Sequence, residues 1–224
     1  MIKTILLNES NMMNDYKVKL MKSMLNHIPD LGWTWDALNK AALSSKKTKN
    51  PTEEELQTLF DRKVSNIIGI FNEQLDEEMY EIYNAKGNKS LGVTETIRSL
   101  ILCRLKASQN YKSIVKSSLF FMAQPINAYD ALTQVMKTSD KIWKFAGDSS
   151  KGRTFYSKRL ILAGVYSSTL AYWLAEDTRS IEESEDFLDR RLDNVKNIGA
   201  ISKHSIQLLE RAKQNLNALI KKKI

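Results

Sequence analysis

Leu160-Ile161-Leu162-Ala163-Gly164-Val165-Tyr166-Ser167-Ser168-Thr169-Leu170-Ala171-Tyr172-Trp173-Leu174-Ala175 is a run of sixteen residues without a charge. It is too apolar to lie on a surface and predicts a buried core helix. It falls short of the roughly 20 residues a bilayer span needs, carries Ser167, Ser168 and Thr169 in succession, and is closed in by Lys158, Arg159, Glu176 and Asp177. Just ahead of it stand Ile142-Trp143-Lys144-Phe145-Ala146-Gly147-Asp148 and Phe155-Tyr156-Ser157-Lys158-Arg159. Aromatics beside a Gly-Asp turn, a basic doublet and an apolar helix predict a greasy interior with a decorated entrance. Such a chain handles an apolar ligand rather than performing chemistry on a polar one.

The surrounding chain has the same character. Among 224 residues, 42% are hydrophobic and only three are proline and eight glycine. Apolar residues recur at spacings of three and four, which predicts helices nearly throughout an all-α protein. The single cysteine, Cys103, excludes an internal disulfide and reads as a small buried hydrophobe among Leu100, Ile101, Leu102 and Leu105. The first fourteen residues have neither a small-residue cleavage site nor the arginines of an organelle leader, which predicts a bacterial cytoplasmic protein.

A helix is expected over about 16–28, stopped by Pro29; a second follows an N-cap at Thr34, and a third follows the Thr52/Glu55 capping box and runs to about Phe60. Three short helices at this spacing resemble a helix-turn-helix module. Further helices are expected near 61–84, 93–107, 111–122, 127–145, 155–175 and 180–198, with a last one from about 203. Loops are expected at 44–50, 85–91 and 147–153.

A net charge of +8 and that outline suggest a repressor, because basic residues release counterions from phosphates. The third helix opposes it. It reads Thr52-Glu53-Glu54-Glu55-Leu56-Gln57, with no Arg or Lys for guanine and three carboxylates facing a polyanion. Lysines outnumber arginines 25 to 9, as a solvated surface would have them. The module reads as a scaffold that no longer binds DNA, which sets nucleic acid aside as a partner.

Catalysis finds no support. Helical di-iron sites use Glu-x-x-His, yet His27 and His204 follow Met24 and Ile201 at that distance. There is no phosphate loop, Cys-x-x-Cys or nucleophile elbow. The acidic clusters at 76–78 and 182–186 read as solvated helix faces. No catalytic residue, metal or cofactor is assigned.

Gly32-Trp33-Thr34, Pro125-x-Asn127, the Trp143 to Asp148 block, Phe155-Tyr156-x-Lys158-Arg159, Tyr166-x-x-Thr169, Phe187-Leu188-x-x-Arg191 and Asn197-x-Gly199 stand in a telling order. Over about residues 16–200 the chain thereby resembles the Coq-nine family of ubiquinone-biosynthesis accessory proteins. Departures are Tyr129 where the family commonly has a second proline, Thr154-Phe155-Tyr156 for Asn-Trp-Tyr, and Thr169-Leu170 for Thr-Glu. The resemblance implies a TetR-like fold and dimerisation through the late helices. It also implies binding of an isoprenoid quinone or phospholipid, and assistance to the di-iron demethoxyubiquinone hydroxylase. The competing reading is a TetR-type ligand-responsive transcriptional regulator. On the first reading, residues 1–60 form a degenerate helix-turn-helix-like module, 61–200 a lipid-binding and dimerisation domain, and 201–224 a membrane-associating helix on the inner membrane.

Each isoprene unit withheld from water is worth on the order of 3–4 kcal/mol, so a polyprenyl quinone leaves a bilayer only for an equally apolar cavity. The TetR-like arrangement would build that cavity from Leu100, Ile101, Ile114, Leu119, Phe120, Leu162, Tyr166, Leu170 and Trp173, unless these simply pack one another. Trp143, Phe145 and Tyr156 flank the Gly147-Asp148 turn, either as anchors for a partner or as a cluster in which Asp148 satisfies backbone amides. In the family this neighbourhood, with Pro125 and Asn127, docks the hydroxylase. The last helix places Leu209, Ala212, Leu216, Leu219 and Ile220 on one face, and Lys203, Arg211, Lys213 and Lys221 to Lys223 supply its charge. Such a helix suits an anionic lipid surface, at roughly 1 kcal/mol per basic residue.

Overall fold

The computed structural model describes residues 2–44, 51–87 and 91–195, with side chains from residue 12 onward. The terminal-helix candidates Lys203, Leu209, Arg211, Ala212, Lys213, Leu216, Leu219 and Ile220 lie outside the described residues, as do His204, Asn197, Gly199 and the lysines at 46, 47 and 49. Every regular element among the described residues is a helix. They are α1 (Ile2–Met24), α2 (Ile28–Leu31), α3 (Trp35–Ser44), α4 (Glu53–Leu59), α5 (Val64–Ala85), α6 (Val93–Ser108), α7 (Lys112–Met122), α8 (Ala128–Phe145), α9 (Gly152–Ala175) and α10 (181–195). None of them is long and apolar enough to cross a membrane.

Local chemistry explains most of the boundaries. The α1 helix begins far ahead of the expected Tyr16, because nothing between Ile2 and Met24 is a glycine or proline. It breaks into a 3-10 turn at 25–27, and Pro29, which has no N–H to give, sits in the first turn of the short α2 that Ile28 begins. Thr34 accepts from the Ala37 N–H at 3.3 Å, capping α3. The Thr52/Glu55 box forms as the sequence predicts, with reciprocal bonds of 3.2 and 2.8 Å. The α5 helix starts at Val64 rather than 61, because Asp61 and Arg62 take left-handed φ values of 53° and 57°.

One apolar core runs from Leu20 on α1 to Leu188 on α10. It includes Cys103, as expected. Inside it lies an ion pair, Arg104 Nε to Asp76 Oδ1 at 2.9 Å, with both side chains 2% exposed. Asp76 also accepts from the Thr138 hydroxyl of α8 and faces Lys141 Nζ at 3.4 Å, while Arg104 donates to Ser108 Oγ and to Asn72 Oδ1. Helices α5, α6 and α8 are thereby cross-linked at one point. Lys112 of α7 donates to the carbonyls of Glu176, Asp177 and Arg179, where cations are favoured at the C-terminal end of α9.

The corner between α8 and α9 is built from the aromatic block. The Asp148 N–H reaches the Trp143 carbonyl and the Gly147 N–H that of Lys144, each at 3.0 Å, with Gly147 at φ 80°. This is a Schellman cap, which glycine accommodates without strain. It delivers the Asp148 carboxylate to Lys158 Nζ (2.7 Å), Arg159 Nη1 (2.6 Å) and Ser150 Oγ (2.6 Å). Arg159 also donates to Asp140 of α8 at 2.9 Å and lies over the Phe155 ring. Asp148 therefore pairs with two cations and a hydroxyl and also accepts from the Ser150 backbone N–H, so the expected capping of backbone amides is present in part.

Helix α9 is not wholly buried as its composition predicts. Leu162, Ala163, Val165, Tyr166, Thr169, Trp173 and Leu174 face inward, whereas Leu160, Ile161, Gly164, Ala171 and Ala175 are exposed. A helix apolar on all sides has only one side on the core of this chain.

Removing one partner of the buried pair leaves the other charged and unpaired, so Asp76→Ala should cost about 3–5 kcal/mol in urea unfolding. A loss under about 1 kcal/mol would show that Arg104 finds water or another partner. At the corner, bonds from Lys158, Ser150 and Arg159 hold the Asp148 carboxyl well below the usual carboxylate range. Its stabilisation is therefore complete above the unfolded value of about 4 and is lost as the pH falls from there toward the lower folded value. The stability gap between wild type and Asp148→Asn should shrink steadily below about pH 4; a gap unchanged at about pH 2.5 contradicts this account.

Candidate functional site: a cavity between the late helices

The cavity of interest opens between α7, α8 and α9 and reaches α5 at Asn72, with a volume of about 420 Å³. That is within the roughly 300–1,000 Å³ of small-molecule sites. Its apolar walls are Val115, Leu119 and Met122 from α7, Ala131, Leu132 and Val135 from α8, and Leu160, Ala163 and Leu170 from α9. Leu119, Leu132 and Leu160 are themselves exposed and mark the open side. The buried Tyr166, with Asn72, Gln134 and Thr138, supplies polar groups within it. Burial raises the Tyr166 phenol above its ordinary pKa, against the pull of the Arg104 charge, so it is a neutral hydroxyl.

The nine residues proposed as walls from the sequence divide sharply. Leu119, Tyr166 and Leu170 line the cavity. Leu100, Ile101, Leu162 and Trp173 are buried in the core instead, and Ile114 packs against it. Phe120 points away, 68% exposed. None of the nine comes from α8, although its residues form one side of the site. Choosing the most apolar segments finds core, because a wall beside a void comes from a helix that is only half apolar. The usable signal was the α8 pattern of Ala131 and Val135 beside Gln134 and Thr138, an apolar stripe edged by a polar one at helical spacing.

The six partner-contact candidates also separate. Trp143 is half-buried and donates its indole N–H to the Lys158 carbonyl at 3.0 Å, with Lys158 Nζ over its ring. Asp148 is consumed by its ion pairs, and Asn127 donates to the Phe121 carbonyl at 2.8 Å. These three shape the local fold. Pro125, Phe145 and Tyr156 are exposed, Phe145 stacking on Tyr80 with ring centroids 4.2 Å apart. Ile126 and Tyr129, 86% and 79% exposed, extend the apolar surface and were not among the candidates. Among the described residues, no group of three His, Cys, Asp or Glu is placed to hold a metal ion.

A solved TetR transcriptional regulator from Nitrosomonas europaea superposes with a TM-score of 0.59 at 15% identity, over 80% of this chain and 97% of that one. The all-α, TetR-like fold is thus established. A sequence model of the COQ9 family matches residues 128–199, which include α8, α9 and the corner between them. The protein named ubiquinone biosynthesis protein COQ9, mitochondrial, of Rattus norvegicus is 24% identical over 188 residues, or 83% of this chain and 60% of that protein. Its counterparts in Xenopus tropicalis and Homo sapiens are 25% and 23% identical, over 81% and 83% of this chain and 58% and 59% of theirs. The chain thus spans less than two thirds of the length of these relatives. They are named mitochondrial and come from eukaryotes, which overturns the expectation of a bacterial cytoplasm and its inner membrane. The family resemblance carried by the aromatic block and its flanking motifs is borne out: this chain is similar to COQ9 proteins over most of its length and shares the TetR-like fold.

Proposed function

We propose that this chain is a lipid-binding accessory protein of ubiquinone biosynthesis, which takes up a polyprenyl quinone intermediate and presents it to the demethoxyubiquinone hydroxylase without catalysing a reaction. The observation that carries this reading is the apolar-walled cavity of about 420 Å³ open between α7, α8 and α9. Its similarity to proteins named for ubiquinone biosynthesis supplies the class of ligand. Leu119, Tyr166 and Leu170, together with the walls from α8, are the lipid-contacting residues of this proposal. A lipid surface from which the ligand is drawn, and a second copy of the chain against the exposed apolar side of α9, complete the set of partners.

A transcriptional regulator is less well supported. The TetR likeness, at 15% identity, concerns the fold alone. Glu53 and Glu54 stand exposed in the first turn of α4, where a polyanion would have to approach.

Gly164 lines the cavity, and a Cβ there would meet nothing within 4 Å. Mass spectrometry of lipids extracted from purified wild-type protein and from Gly164→Ala should recover isoprenoid or phospholipid, with several-fold less from Gly164→Trp, whose indole occupies the space. No lipid from the wild type, or equal amounts from all three, would sink the proposal. For docking, Ile126→Asp combined with Tyr156→Ala should weaken hydroxylase pull-down about tenfold or more while leaving the melting temperature in place, since both side chains are exposed. Undiminished capture would remove this face from the proposal; Trp143→Ala would not serve, because it also breaks the corner.

A further inference from the structure

The polar groups of the cavity are not equivalent. Asn72 and Gln134 are occupied with each other and with the framework. Asn72 Nδ2 donates to Gln134 Oε1 at 2.9 Å, Gln134 Nε2 donates to the Ser65 carbonyl at 2.7 Å, and Asn72 Oδ1 accepts from Arg104 at 3.1 Å. Thr138 is turned toward Asp76, Ser118 donates to the Val115 carbonyl, and Ser167, also on the wall, is only half-buried. Tyr166 differs. It lines the cavity and is only 4% exposed, and its hydroxyl takes part in none of the side-chain hydrogen bonds that Asn72, Gln134, Thr138 and Ser118 make there. Burial keeps this phenol protonated despite the nearby Arg104 guanidinium, so its hydroxyl has a proton to donate.

A prenyl chain lying against Tyr166 would leave that donor buried and unsatisfied, which is disfavoured. A ring oxygen would satisfy it. A cavity of about 420 Å³ also holds one ring and the first part of a tail rather than a long polyprenyl chain. The exposed leucines 119, 132 and 160 give the remainder an apolar way out. We propose that the cavity takes its lipid ring first, with the Tyr166 hydroxyl donating a hydrogen bond to an oxygen of a quinone or phenol head and the prenyl chain leaving past Leu119, Leu132 and Leu160. Tyr166 thereby selects ring-bearing isoprenoids over plain hydrocarbon chains. This inference rests on the lipid-binding reading above.

The test compares wild type with Tyr166→Phe, a change that removes no bond to another described side chain and should leave the melting temperature unchanged. Two probes are titrated calorimetrically: a dimethoxy-methyl-benzoquinone bearing two isoprene units, and a prenyl hydrocarbon of matching length without the ring. The quinone should bind the variant about 5-fold or more weakly than the wild type, as loss of one buried hydrogen bond implies, while the hydrocarbon binds both alike. Equal quinone affinity in the two proteins would overturn ring-first binding and leave lipid binding intact. Parallel loss of both probes would show Tyr166 to be a wall and nothing more. Failure of wild type to bind either probe would overturn the lipid-binding reading with it.

Discussion

The Arg104–Asp76 pair is the constraint on which the arrangement of the late helices depends. A buried ion pair contributes little net stability over a well-packed apolar substitute, and its worth lies in tolerating only one geometry. Here the two charges fix α5 against α6, and Thr138 and Lys141 bring α8 to the same point. Asn72 and Gln134 extend the network to Ser65 at the start of α5. A purely apolar interface could slide to close an adjacent void. With α8 held by directional bonds on its α5 side, sliding would break them, and the space toward α7 and α9 persists.

The corner between α8 and α9 ties together the two helices that supply most of the walls of that space. The Schellman cap at Gly147 fixes where Asp148 stands, and Lys158, Arg159 and Ser150 then fix the first two turns of α9. Arg159 donates back to Asp140, so the two helices are tied on both sides of their loop. The sequence block that carries the family resemblance is therefore, in large part, the device that sets the angle of a cavity wall. Trp143 and Asp148 occur in that block for the fold, and the side chains it leaves to solvent are Phe145 and Tyr156.

Much of this was legible in the residues alone. Helix order followed from the three- and four-residue spacing, and the Thr34 and Thr52 caps lie where their side chains said they would. These signals are local, because a cap needs only residues within one turn. The extent of α1, the left-handed Asp61 and Arg62, and the split of the aromatic block into buried and exposed members were not legible. Each depends on what lies across the fold. The cavity was the hardest feature, since a run such as Leu100-Ile101-Leu102 looks alike whether it fills a core or lines a gap. Only the neighbouring helix decides, and α8 reads in sequence as an ordinary amphipathic surface helix.

Helix α9 carries the last step. Its sixteen uncharged residues are more apolar than burial within this chain requires, because Leu160, Ile161, Gly164, Ala171 and Ala175 lie outside the core. An apolar face left in water costs about 25 cal/mol per Å² that burial would recover, so a sequence keeps one where something else covers it. The same helix presents Ala163, Tyr166 and Leu170 to the cavity, and Leu160 and Gly164 of the exposed face line it too. A single helix thus borders both the candidate ligand space and an apolar surface that is exposed among the described residues. A body that packs against this exposed face would therefore meet Leu160 and Gly164, residues that also line the cavity, so the two surfaces are continuous along one edge of the helix.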